Sequence, residues 1–309
     1  MTESNNKISA SQLFCILLLS RLSVEIVYPR TGSAAAVDAI SALVISELVR
    51  FVLALPLIIY AYHGDNVHRA VYGKNRFFGW IGALAAAGLL VGASLRILFN
   101  SSVFAVKNLL IGGTMWAIFT VSAIFAIYSA AMGVEALARA GAIILIAAAL
   151  VTVTSILADI PYMKVYTSSQ FLGGGGDFSA FLNEIFERIL RGGDYLIFAA
   201  LLPYVEKRKQ DSAGKCALLF ALFSTLAVVS LCVVNCLVLR EMYGMTEYPF
   251  VAASSLSDIA FFKRLDGAAA AVWMLCAVFR GGLLLLAAER AIAEVAKASR
   301  YRKAEGETP

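Results

Sequence analysis

Charged residues set inside long apolar runs constrain this chain more than anything else in its sequence. Leu17 to Pro29 reads LLLSRLSVEIVYP, placing Arg21 and Glu25 in a stretch otherwise fit for hydrocarbon. Of the 309 residues, 60% are hydrophobic and only 15% charged, and the mean hydropathy is +0.79. Soluble domains carry about 45–50% apolar and about 25% charged residues. A water-soluble core cannot absorb this apolar excess, so lipid must be the solvent for most of it. The expected class is all-α: a polytopic helical membrane protein.

Eight apolar helical segments can be drawn, over 11–28, 37–62, 78–99, 106–131, 134–158, 192–206, 213–239 and 267–290. The sixth, with about 15 residues, is shorter than the ~20 needed to cross ~30 Å of hydrocarbon. Before it, FSAFLNEIFERILRGGD (Phe178 to Asp194) reads as an amphipathic helix stopped by Gly192–Gly193. Two short helices about a glycine break would together form one broken span. The first run follows only Lys7 and no small-residue cleavage site, so it reads as a retained span. The expected division is a tail over 1–10, one transmembrane domain over 11–293 and a second tail over 294–309.

Loop charge gives an orientation. Arg69, Lys74 and Arg76, then Lys207, Arg208, Lys209 and Lys215, then Lys297, Arg300, Arg302 and Lys303 fall on one side. The positive-inside rule makes that side, with both termini, cytoplasmic. The net charge of +5 is read as topology rather than nucleic-acid binding.

Other candidate motifs carry little chemistry. Cys15, Cys216, Cys232, Cys236 and Cys276 all sit in apolar runs without a nearby histidine, so they read as packed thiols. GGGGD (Gly173 to Asp177) lacks the Lys-Ser/Thr of a phosphate loop and reads as a linker. His63 and His68 share one polar loop, and Gly88–Gly92 is a GxxxG expected to make close helix contact. No nucleophile–base set or metal cluster emerges, so neither an enzyme nor a cofactor is expected.

The intramembrane charges are the strongest functional signal. Arg21, Glu25, Glu47, Arg50, Arg96, Asp194 and Arg280 all fall within spans. An arginine at mid-bilayer costs about 2.5–3.5 kcal/mol even on insertion scales. These groups must therefore face protein or a wet cavity. Glu47 and Arg50, at i,i+3, read as a structural ion pair. Asp194 beside the Gly-Gly break reads as a ligand group at a helix N-terminus. Ser20, Arg21, Ser23 and Glu25 ahead of Pro29 suggest a first helix that loosens partway across the membrane. Interrupted helices in corresponding halves point to a transporter-type site. Four arginines against three carboxylates leave one guanidinium suited to a ligand carboxylate.

Four stretches resemble one family. KISASQLFCILLLSRLSVEIVYPR, SLRILFNSSVF, GGDYLIFAALLPYVEKRK and FKRLDGAAAAVWMLCAVFRGGLLLLAA are similar, in order, to the first, third, sixth and eighth spans of spore germination permeases. These are the B subunits of nutrient germinant receptors, related to the amino acid/polyamine/organocation transporters. The resemblance implies a leucine-transporter-like bundle of inverted repeats, here 11–158 and an incomplete 178–293. It implies a ligand site between broken helices one and six, carried onto Arg21, Ser23, Glu25, Arg96, Gly193, Asp194 and Arg280. It also implies an amino-acid-like nutrient as ligand, an A-type membrane subunit and a C-type lipoprotein as partners, and the inner spore membrane as location. The chain departs from the family pattern in having eight spans rather than ten, and in Ser23 and Glu25 where small residues are usual. A proton-coupled amino acid permease, or a truncated relative that binds nothing, are the alternative readings.

Overall fold

A computed structural model describes residues 7–30, 36–62, 76–110, 112–163, 178–206, 211–256 and 266–304. His63, His68, the run Gly173–Asp177 and the loop charges from Arg69 to Lys74 and Lys207 to Lys209 lie outside them. Helices account for nearly all of the described residues, which contain no strand beyond one isolated bridge.

Helix α1 (Ala10–Val27) starts at a reciprocal cap. The Ser9 hydroxyl accepts from the Gln12 N–H (3.2 Å), and the Gln12 side chain accepts from the Ser9 N–H (2.9 Å). It ends where Pro29 forces Tyr28 into extended backbone (φ −76°, ψ 131°). α2 (Ala36–Tyr62) and α3 (Arg76–Asn108) follow. α4 (Met115–Ala131) and α5 (Val134–Asp159) meet at Gly133, whose φ of +88° suits a residue without Cβ. Then come α6 (Phe178–Leu190), α7 (Asp194–Leu201), α8 (Asp211–Leu239), the short α9 (Pro249–Leu256) and the 39-residue α10 (Asp266–Ala304).

Six of these helices are long and apolar enough to cross a membrane, and α4 is a shorter apolar helix. α6 and α7 flank the Arg191–Gly193 break, their 13 and 8 residues together giving ~32 Å of helix at 1.5 Å per residue, enough for one broken span. The chain is thus a multi-pass all-α membrane protein. Two boundaries differ from the sequence reading. The fourth span does not begin at 106, because α3 runs on to Asn108 and the chain turns through Gly112–Gly113 before α4. Apolar residues continue through that turn, so hydropathy does not register it. α9 was not foreseen, being only eight residues between polar stretches.

The bundle is inside out relative to a soluble protein. Ile143, Leu150, Leu53 and Trp116 are well exposed, whereas Arg21, Glu47, Arg50, Arg188, Asp194 and Arg280 are buried. α1 and α10 form its centre: α10 packs on α3, α4, α5, α7 and α1, and α1 on α8, α5 and α10. Small residues permit these approaches. A Cβ on Gly282 would fall 1.9 Å from Ser129 Oγ, and one on Gly281 2.9 Å from Leu98 Cδ2. Ser94 Oγ donates to the Gly281 carbonyl across the same interface (2.9 Å). The GxxxG of α3 does the opposite of what its pattern suggests: Gly88 and Gly92 face open space with nothing within 4 Å. At one end of the bundle, Ile8 pairs with the segment after α7, its N–H donating to the Tyr204 carbonyl (2.9 Å).

Candidate functional site

The break before α7 places Asp194 at the first turn of a helix and completely inside the protein. Both carboxylate oxygens are taken. Oδ1 accepts from Arg280 Nη1 (2.6 Å) and from Ser20 Oγ (3.0 Å), and Oδ2 accepts from Arg50 Nη2 (2.7 Å). Arg280 also donates to the Ser20 carbonyl (2.5 Å) and, across the break, to the Arg191 carbonyl (3.4 Å). A buried charge is tolerable only with such complete pairing. The Arg191 carbonyl at the break supplies part of it.

From Asp194 the pairing continues as an alternating chain. Arg50 binds Glu47 (2.8 Å), Glu47 binds Arg21, and Arg21 lies 3.6 Å from Glu25. Glu25 then pairs with Arg188, which donates to Glu184 (3.0 Å), and Glu184 lies 3.7 Å from Arg30. Cation and anion alternate from α10 through α7, α2 and α1 to α6. In α6 the polar stripe, with Glu184 and Arg188, faces inward while Phe178, Phe186 and Leu190 face outward. That is how an amphipathic helix sits when its surroundings are lipid.

Glu25 marks one wall of a cleft. Glu184, Glu187 and Arg188 of α6, Tyr28 after α1, Asn235 of α8 and Tyr243 just after α8 form much of the rest. The void measures about 30 Å³, room for about two waters. Guanidinium and carboxylate groups alternate along its wall, which suits a small molecule carrying both signs of charge. Cys232 also lines it, its thiol 3.3 Å from the Tyr243 hydroxyl. Among the described residues, no group of three or more His, Cys, Asp or Glu could hold a metal ion.

The structure brings most of the expected site residues together, but not as a hollow site between two broken helices. α1 is unbroken through Val27, so its polar residues do not mark a loosened helix. Ser23 is buried and its hydroxyl donates to the Ser20 carbonyl of its own helix (2.8 Å). At the N-terminus of α7, Gly193 lies against Arg280 (3.7 Å from a built Cβ) and both carboxylate oxygens of Asp194 are taken. Arg21, Arg280 and Asp194 therefore sit behind the cleft, and only Glu25 of the expected set lines it. Arg96 stands apart from the buried chain. It is 43% exposed and pairs with Glu187 (2.7 Å), itself 36% exposed. Glu47 and Arg50 do pair, yet as the middle of a longer chain rather than as an isolated couple.

Sequence reading overlooked Arg188, Glu184 and Arg30, and including them widens the surplus of arginines over carboxylates from one to two. The signal was available. Glu184 and Arg188 stand at i,i+4 on the polar stripe of a helix whose other face is apolar, and in a membrane the polar stripe must point inward.

The family model described as spore germination protein matches residues 7–303, nearly the whole chain. No curated protein matches it.

Proposed function

Because the chain belongs to the spore germination permease family, we propose that it is the membrane-embedded sensing subunit of a germinant receptor, binding a small amino-acid-like nutrient in the cleft beside Glu25. The observation that carries this reading is the cleft itself: Arg188 is shared between Glu25 and Glu184 at its wall, on a broken span inside a multi-pass bundle. A zwitterion brings a carboxylate that competes for Arg188 and an amine that satisfies the carboxylate so released. This exchange conserves the pairing that burial demands. Binding then favours one arrangement of the α6–α7 span over another, to the extent that affinity for the two differs. Behind the cleft, Arg21, Ser23, Gly193, Asp194 and Arg280 act as the support that holds α1, α7 and α10 in register. Arg96 acts at the periphery.

Within the receptor the change would be read by an A-type membrane subunit and a C-type lipoprotein in the inner spore membrane, with both termini on the cytoplasmic side. The family supports a receptor-complex setting and a small-molecule germinant; these particular partners and this orientation belong to the proposal.

The test is thermal stabilisation of the purified full chain in detergent by a panel of amino acids and other small nutrients. At least one zwitterion should stabilise it, and Glu25→Gln and Arg188→Gln should abolish that shift. Stabilisation by no member of the panel, or shifts unaltered in both variants, would leave a relative whose charges serve only its own packing.

A further inference from the structure

We propose that Cys232 and Cys236 form a two-coordinate site for a soft monovalent metal ion of the copper(I) type, entered from the cleft and flanked by Arg188 and Arg30. The inference goes beyond the nutrient-binding reading and does not rest on it.

The two thiols stand one turn apart on α8, close to its end at Leu239, and both are buried. They lie within hydrogen-bond reach of each other and of the Tyr243 hydroxyl, which is 3.3 Å from Cys232 Sγ. Side chains at i,i+4 keep their Cβ atoms about 5–6 Å apart. A disulfide needs about 3.5–4.5 Å, so a regular helix keeps this pair from joining directly. A metal ion between two sulfurs at about 2.3 Å from each sets them up to ~4.6 Å apart, which the same spacing allows. The other buried thiols are placed differently. Cys276 is fully buried in α10, and the Cys216 thiol donates to the Ala10 carbonyl (3.2 Å).

Charge and coordination number select the ion. Binding breaks two S–H bonds, sends both protons to water and forms two metal–sulfur bonds, so a monovalent ion leaves a complex of net charge −1. A buried anion needs a cation beside it. Arg188 and Arg30 line the same cleft as Cys232, and they act electrostatically on Cys232 and Cys236 respectively. Arg30 is itself held over the Tyr243 ring (4.3 Å) and donates to the Tyr243 carbonyl (2.6 Å). A zinc ion takes four ligands, and among the described residues no group of three or more His, Cys, Asp or Glu could hold one. Leu43 of α2, Val228 of α8 and Ala253 of α9 pack in one cluster with both thiols, a setting that favours a soft, sulfur-bound ion over a hydrated hard one. The void has room for about two waters, so a bare ion enters without movement of its walls. Arg188 also serves Glu25 and Glu184, so an occupied site draws on the guanidinium that ties the cleft wall together.

The test is a copper(I) titration of the purified, reduced full chain in detergent, under nitrogen, against the coloured copper(I)–bicinchoninate complex. The wild-type chain should withdraw one copper(I), read as lost colour. Cys232→Ser and Cys236→Ser should each weaken that withdrawal at least about tenfold, the loss that even outer-shell partners of a metal cause. The triple variant Cys15→Ser, Cys216→Ser, Cys276→Ser should bind as wild-type does, and zinc(II) in excess should displace nothing. X-ray absorption of copper in the unaltered chain should show two sulfur neighbours, a readout that needs no variant to fold. No withdrawal by the wild-type chain, equal withdrawal by both Cys232→Ser and Cys236→Ser, or a copper shell of nitrogen and oxygen overturns the site. No nutrient is present in this assay, so its failure leaves the sensing reading intact. Copper(I) binding without stabilisation by any nutrient defeats the sensing reading alone.

Discussion

At the scale of single residues, the buried charges are bound to one another so closely that none can be removed alone. Arg280 serves Asp194, Ser20 and the Arg191 carbonyl at once, so Arg280→Ala leaves Asp194 short of a partner and a carbonyl without its donor. Breaking a buried pair from one side costs about 3–5 kcal/mol. Arg280→Ala should therefore lower thermal stability in detergent by a margin of that order, and Asp194→Asn should do comparable damage by leaving Arg50 and Arg280 facing a neutral amide. Arg139→Ala removes an exposed i,i+4 pair and should change stability by under ~1 kcal/mol. Calorimetry or fluorescence melting of the three variants side by side checks the ordering. Equal losses for Arg280→Ala and Arg139→Ala would contradict the burial argument.

At the scale of elements, the two glycines of the break are not equivalent. A Cβ on Gly192 would lie 2.9 Å from Arg50 Nε and 2.9 Å from the Ile189 carbonyl, whereas on Gly193 the nearest atom is 3.7 Å away. Gly192→Ala must push Arg50 off Asp194 and should cost about 1–3 kcal/mol, while Gly193→Ala should be nearly neutral. Gly282→Ala should be the more damaging packing variant, since the contact with Ser129 Oγ at 1.9 Å forces α10 off α4. Gly88→Leu, by contrast, meets open space and should leave the melting temperature of the isolated chain within about a degree or two of wild-type. Melting curves of these four variants test the reading that helix approach occurs at Gly281–Gly282 and not at the GxxxG. The break itself was legible in the sequence, because an amphipathic stretch, two glycines and a short apolar run can together make one span. Where the GxxxG packs was not legible, since a small-residue spacing gives a helix the capacity for close approach without naming a neighbour.

At the scale of the whole molecule, the distribution of polarity is the reverse of a soluble fold, and that reversal predicts how the surface responds. Leu150, 65% exposed on α5, faces lipid. Leu150→Asp should reduce the fraction of chain integrated in membranes, because a carboxylate at such depth costs about 2.5–3.5 kcal/mol. Leu150→Ala should leave integration unchanged. Carbonate-resistant membrane fractions of the two variants provide the measurement, and equal integration would mean that α5 faces protein or water rather than lipid.

The sequence by itself determined that the chain crosses a membrane and that its sixth span is broken, and it asked protein or a wet cavity around Arg21, Glu25, Glu47, Arg50, Arg96, Asp194 and Arg280, of which Arg96 proves 43% exposed. Hydropathy and the 1.5 Å rise of a helix carry that much, because they fix depth along an axis. Partners are another matter. Which carboxylate meets which guanidinium depends on the rotation and crossing of helices far apart in the chain. Only the tertiary structure decided that α1 runs unbroken, that Arg188 joins the buried chain, and that Arg96 stays at the rim with Glu187. Arg96 and Arg280 look alike in sequence, each an arginine in an apolar helix. They differ because α10 is enclosed around Arg280, where residues 279–284 are all buried, while α3 keeps one face toward the surroundings at Arg96, beside the exposed Leu95 and Phe99.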